Sequence, residues 1–123
     1  MIQHGTPPFL ECSSAGDARF SAFQAIVNCR SIEEWYQGAK IFADPPYGPG
    51  LHWRQAKGRK AVNQKACAEI YSRLWDRYIA SRPDLLEVLK KTTGLSDMFG
   101  QPGHCCQVNE LWRIRCAALG VKP

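Results

Sequence analysis

An apolar residue recurs at every fourth position from Val62 through Ala66, Ile70 and Leu74 to Tyr78. On a helix of about 3.6 residues per turn, that spacing lays an apolar stripe along one side. It predicts a long helix over about 60–80, and the rest of the chain must pack against it. Tyr71, Trp75 and Tyr78 share one face of this helix and read as core. Pro83 fits the first position of a following helix, with Asp84 favourable in its first turn. Leu85, Leu86, Val88 and Leu89 face the core, and Gly94 reads as the helix stop.

Before the long helix, Ser31 as N-cap and Glu34 three residues on make a capping box, which predicts a helix over 31–42. That helix must end before Asp44-Pro45-Pro46, and residues 44–52, with three prolines and two glycines, read as a loop. Residues 1–20 read as loop or short strand. The stretch from Phe20 to Val27 fits a strand or a short helix equally. Residues 95–106 read as a loop, and a last helix runs from about Gln107 to Leu119, ended by Gly120. With 123 residues, 45% of them hydrophobic, one core is expected. The expected fold class is therefore mainly α: one helical domain over 1–123, with room for a small strand pair near the N-terminus.

No apolar run reaches the roughly 18 residues of a membrane span, and the N-terminus does not read as a secretory signal. The six cysteines are accordingly expected as free thiols in a cytoplasmic protein. A net charge of +5 favours anionic partners.

Three stretches carry candidate chemistry. On a helix, Glu33, Gln37 and Lys40 share one face, flanked by Trp35 and Tyr36; the alternative is a solvated face with an ordinary charge pair. Ser96 to His104 runs into a helix N-terminus, where exposed N–H groups can hold a phosphate; here Asp97 is placed to bind sugar hydroxyls or serve as a second carboxylate. The alternative is a plain connecting loop. Leu51 to Lys65 holds Arg54, Lys57, Arg59, Lys60 and Lys65 with no acid, which suits phosphate contact or simply a soluble helix face. His104, Cys105 and Cys106 with Cys67 or Cys116 make a poor zinc set, because adjacent cysteines do not easily share one tetrahedral ion. No metal is expected. Trp53 and Trp112 stay unassigned between core and site.

Several of these residues fall in blocks that resemble the NADAR (YbiA-like) family. Phe20-Ser21-Ala22-Phe23 is similar to its opening motif. Glu33, Tyr36, Gln37 and Lys40 match a second motif, with Gly38 where the family has alanine. Gly58-Arg59 sits at a family Gly-Arg pair, and Leu85 to Leu89 is similar to a family helix. Asp97, Phe99, Gly100, Asn109, Leu111 and Arg115 match the closing block, although Gln101-Pro102-Gly103-His104 replaces its glycine string.

The resemblance implies a helical N-glycosidase without metal or cofactor. Its ligand would be ADP-ribose-like or a ribosyl phosphate: a riboflavin-pathway intermediate, or ADP-ribosylated guanine in nucleic acid. It assigns Glu33 as the carboxylate that stabilises positive charge on the sugar and orients water. Lys40 would hold phosphate or ribose hydroxyls, and Asp97 the ribose or the water. Trp35, Tyr36 and Phe99 would stack on the base and Arg59 would hold a phosphate, with Gln37, Gly100 and Asn109 completing the ligand site. Two alternatives stand beside it: a non-catalytic binder of the same nucleotide, and a basic nucleic-acid-binding protein. No membrane and no obligate protein partner are expected.

Overall fold

The computed structural model describes every residue from Met1 to Pro123. It corrects the mainly α expectation. The fold is mixed α/β, with 43% helix and 12% strand arranged as five helices and two small sheets. The strands are β1 (Ile2–Gly5), β2 (Phe9–Glu11), β3 (Ile26–Val27), β4 (Arg30–Ser31) and β5 (Gly94–Asp97). The helices are α1 (Ile32–Gly38), α2 (Trp53–Ala56), α3 (Gln64–Ala80), α4 (Pro83–Lys91) and α5 (Gln107–Leu119).

The first sheet has the order β1-β5-β2. Its central strand is the piece of chain that reads locally as helix stop and loop. β5 runs antiparallel to β1, with Ile2 opposite Asp97, and parallel to β2, with Phe9 opposite Gly94. All four β5 residues are buried, so no alternation of apolar and polar residues marks it as a strand. Gly94 begins the strand instead of closing the helix. A Cβ there would run into the Thr6 carbonyl and the Phe9 ring, so glycine is needed for the close approach. The second sheet is the β3–β4 hairpin. Its two turn residues, Asn28 and Cys29, have φ of +47° and +69°, the left-handed pair that a type I′ turn requires.

The helices follow the sequence more closely. The Ser31–Glu34 capping box is formed: the Ser31 hydroxyl accepts from the Glu34 N–H at 3.1 Å, and the Glu34 carboxylate accepts from the Ser31 N–H at 3.4 Å. α1 ends at Gly38 rather than near Phe42. α3 starts at Gln64, because Asn63 turns its amide onto other backbone: its oxygen accepts from the Ile41 N–H at 2.9 Å and its NH₂ donates to the Ala39 carbonyl at 3.0 Å. Val62, the first member of the apolar stripe, is consequently exposed.

The core sits between α3, α4, α5 and the three-stranded sheet, with Trp75, Phe20, Ile32, Leu85, Leu89, Leu95, Val108 and Leu111 all sealed from solvent. An aromatic ladder runs through it: Tyr36 meets Tyr71, Tyr71 meets Trp75, and Trp75 meets Tyr78, each edge to face with centroids 5.1–6.4 Å apart. Such pairs each contribute about 0.5–1.5 kcal/mol beyond area burial. The Tyr78 hydroxyl ends the ladder on the Arg19 carbonyl at 2.7 Å. No helix is long and apolar enough to cross a membrane.

Ser31→Ala removes the side-chain half of the α1 cap. It is expected to lower the unfolding free energy by about 1 kcal/mol, read as a lower urea midpoint at an unchanged m-value.

Candidate functional site

A cleft of about 690 Å³ opens between the segment Ser13–Gln24, the first turn of α1 and the chain from Asp97 to Gln107. Its two carboxylates, Glu33 and Asp97, have different surroundings.

Asp97 ends β5 and is buried. Its Oδ1 accepts from the Phe99 N–H at 3.0 Å. Its Oδ2 accepts from the Cys106 thiol at 3.2 Å and the Gln107 amide at 3.1 Å. Three donors converge on it, and the carboxylate is occupied by the protein. Gln107, the first residue of α5, also donates to the Cys12 carbonyl at 2.8 Å and accepts from the Ala22 N–H at 3.0 Å.

Glu33 lies in the first turn of α1 and is half-buried. It takes one hydrogen bond, from the Gln37 amide to Oε1 at 2.9 Å. Gln37 is itself buried, and its amide oxygen has no partner. A buried unpaired acceptor costs about 1–3 kcal/mol, so the Gln37–Glu33 contact is held against a penalty.

Tyr71 reaches the cleft from α3, and burial pushes its phenol well above the usual 10; it stays neutral. Burial, opposed by N–H groups of the α5 N-terminus and reinforced by Asp97, pushes the Cys106 thiol up to about 12. Lys40 lies two residues past the end of α1. Burial lowers its pKa and the Glu33 charge partly offsets that, while its ammonium sits 5.2 Å from the Tyr36 ring. Tyr36 is pushed up by burial first and then by the neighbouring Cys105 thiol.

Two phenylalanines on the cleft wall, Phe23 and Phe99, are 46% and 64% exposed. Rings left this open offer flat apolar surface to a ligand. The Lys57 ammonium stands at the same cleft, 5.1 Å from the Phe23 ring and 5.6 Å from the Trp53 ring.

Of the residues singled out in the sequence, Glu33, Asp97, Phe99 and Gly100 therefore meet in the cleft. Gln37 supports Glu33, while Tyr36 packs on Tyr71 and Lys40 stands over the Tyr36 ring. Three lie elsewhere. The Trp35 indole donates to the Val27 carbonyl at 2.6 Å and carries the Arg30 guanidinium on its face, fastening α1 to the hairpin. Arg59 donates to the carbonyls of Pro46 and Asp44 at 2.9 and 2.8 Å and covers the Phe42 ring, bracing the proline-rich loop. The Asn109 amide oxygen pairs with His4 Nε2 at 2.7 Å, beside the stacked His4 and Trp112 rings.

Sequence reasoning missed Phe23, Tyr71 and Gln107 as cleft residues, and took in His104 only as the end of the 96–104 loop. Phe23 was visible only as the end of a motif and Tyr71 only as core. Nothing local marks Gln107, because two of its partners lie 85 and 95 residues away and the third, Asp97, lies ten residues off across a loop. Comparison with family models, with curated proteins and with solved structures finds no match to this chain.

Three outcomes follow. Asp97→Asn places an NH₂ against donors, and is expected to cost about 1–3 kcal/mol in a urea titration. The Cys106 thiol stays protonated in the folded state well above the pH at which an unfolded thiol ionises. In native protein at pH 8, iodoacetamide should therefore label exposed Cys29 and spare Cys12 and Cys106 until urea is added, as mapped by peptide mass. By the same linkage, the Cys106 contribution to stability is present below about pH 9 and lost as the pH rises towards about 12.

Proposed function

We propose that the cleft binds a ribosyl phosphate or ADP-ribose-like ligand, free or attached to nucleic acid, and hydrolyses its N-glycosidic bond. The single observation carrying this reading is that Glu33 meets one protein donor where Asp97, the other cleft carboxylate, meets three. Glu33 keeps Oε2 for the ligand while Gln37 fixes Oε1.

Cleavage at an anomeric carbon builds positive charge on the sugar, and a positioned carboxylate stabilises that charge and takes a proton from the attacking water. Phe23 and Phe99 supply surfaces for the base, and Lys57 supplies a cation for a phosphate. Asp97 in this reading holds the floor of the cleft rather than the ribose. The resemblance of Glu33 to Lys40 and of Asp97 to Arg115 to the NADAR blocks supports the same substrate class. The six free cysteines fit a reducing compartment such as the cytoplasm.

A second reading, retention of the same ligand without cleavage, is favoured by one observation: with Asp97 tied up, the cleft offers a single working carboxylate. The experiment that separates the two is incubation with ADP-ribosylated guanine oligonucleotide, NAD and a ribosylaminopyrimidine phosphate, followed by mass spectrometry. Released base, with turnover reduced about 100-fold or more in Glu33→Gln at unchanged thermal stability, is the expected result. Stoichiometric retention without released base would leave the binder reading; neither release nor retention would reject both.

A further inference from the structure

Glycosidic cleavage needs two proton movements, and Glu33 accounts for one. The remaining titratable groups of the cleft are Lys57, Tyr71, Asp97, His104, Cys105 and Cys106. Asp97 is filled by three donors. The Cys106 proton is committed to Asp97, and burial holds both that thiol and the Tyr71 phenol far above neutrality. The Lys57 ammonium lies against the Phe23 and Trp53 rings. Cys105 stands beside the Tyr36 hydroxyl.

The chain has three histidines, and two of them have work elsewhere. His4 is paired with Asn109 and stacked on Trp112, and His52 caps α2 by accepting from the Arg54 N–H at 3.1 Å. His104 is exposed and lines the cleft. Its backbone N–H closes a turn onto the Gln101 carbonyl at 3.3 Å, which fixes where the side chain leaves the loop. An imidazolium N–H is a donor that a departing base nitrogen can take a proton from.

Resting on the glycosidase reading of the cleft, we propose that His104 is the general acid that protonates the departing base, and that the substrate is one whose base needs that proton to leave. The C1′–N bond breaks with its electron pair going to the base nitrogen, and that nitrogen takes the proton from the His104 imidazolium. Water adds its oxygen to C1′ and gives a proton to the free Oε2 of Glu33. Both residues then exchange protons with solvent, so one water is consumed and one base and one free sugar hydroxyl result. The class of aglycone is thus a neutral purine or an aminopyrimidine, which leaves poorly as an anion, and not a pyridinium, which departs neutral without help.

The test uses the full chain and whichever protonation-requiring substrate it cleaves, the ribosylaminopyrimidine phosphate or the ADP-ribosylated guanine oligonucleotide. His104→Asn is expected to lower kcat about 100-fold with KM little changed. It should also remove the alkaline limb of the pH profile, since a general acid stops working once it has lost its proton. In His104→Gly, added imidazole should restore turnover, because the position is open to solvent. A raised KM with kcat intact would make His104 a ligand holder and overturn the proposal, as would a surviving alkaline limb or absence of rescue. Loss of turnover in Glu33→Gln with full turnover in His104→Asn overturns this inference alone. No cleavage by the unaltered chain overturns both it and the reading on which it rests.

Discussion

The buried carboxamide of Gln107 is the contact on which the rest of the molecule turns. It reads three separate segments at once: the Asp97 carboxylate at the end of the central strand, the Cys12 carbonyl after β2, and the Ala22 N–H after the Phe20 turn. Each bond alone contributes about 1 kcal/mol net. Their joint effect is geometric. The amide spans the sheet, the start of α5 and the loop that bears Phe23, and so sets the width of the cleft between them. The neighbouring Glu11 carboxylate repeats the device one strand over, accepting from the Ser96 hydroxyl at 2.8 Å and the Met98 N–H at 3.1 Å. Polar groups buried at this depth are costly unless satisfied. The exit of the sheet is therefore specified by hydrogen bonds, and the helical side of the core by apolar contact.

That division explains how far the sequence could be read. The helix-forming signals are local. The capping box at Ser31, Pro83 at a helix start and the i, i+4 stripe of α3 each act within a few residues, and each element forms where the pattern puts it, give or take a turn. β5 is different. Gly-Leu-Ser-Asp has no strand signature, and it becomes a strand because Ile2–Gly5 and Phe9–Glu11 pair with it from 85 to 95 residues away. Short strands fixed by distant partners are invisible to periodicity, which is why a mixed α/β fold reads as a helical one.

The candidate site divides in the same way. Spacing alone puts Glu33, Gln37 and Lys40 on one helix face; the structure joins Gln37 to Glu33, but α1 ends at Gly38 and Lys40 lies beyond it. Lys40 is drawn onto Tyr36 rather than into the cleft. Trp35 is one residue from Tyr36 and points to the hairpin, since adjacent helix positions face about 100° apart. Arg59 illustrates a second failure of local reading. In a basic stretch it looks available for phosphate, but its guanidinium fork is spent on the backbone carbonyls of Asp44 and Pro46. Charge counts alone do not separate a structural arginine from a binding one.

The two cleft carboxylates show how one pocket assigns unlike roles to like groups. What differs is not the chemistry of the side chain but the number of donors already pointing at it. Asp97 ends β5 ten residues before α5 begins, and it is consumed by the Phe99 N–H, the Cys106 thiol and the Gln107 side-chain amide. Glu33 lies in the first turn of α1, where the capping box of Ser31 and Glu34 already serves the helix end. It is released from that duty and meets only the amide of Gln37. A carboxylate so held is oriented without being saturated, which is the condition for a group that must bind a transient cation and accept a proton in the same event. The orphaned Gln37 oxygen is the structural cost of that orientation, and it falls on the residue that supports Glu33 rather than on Glu33 itself.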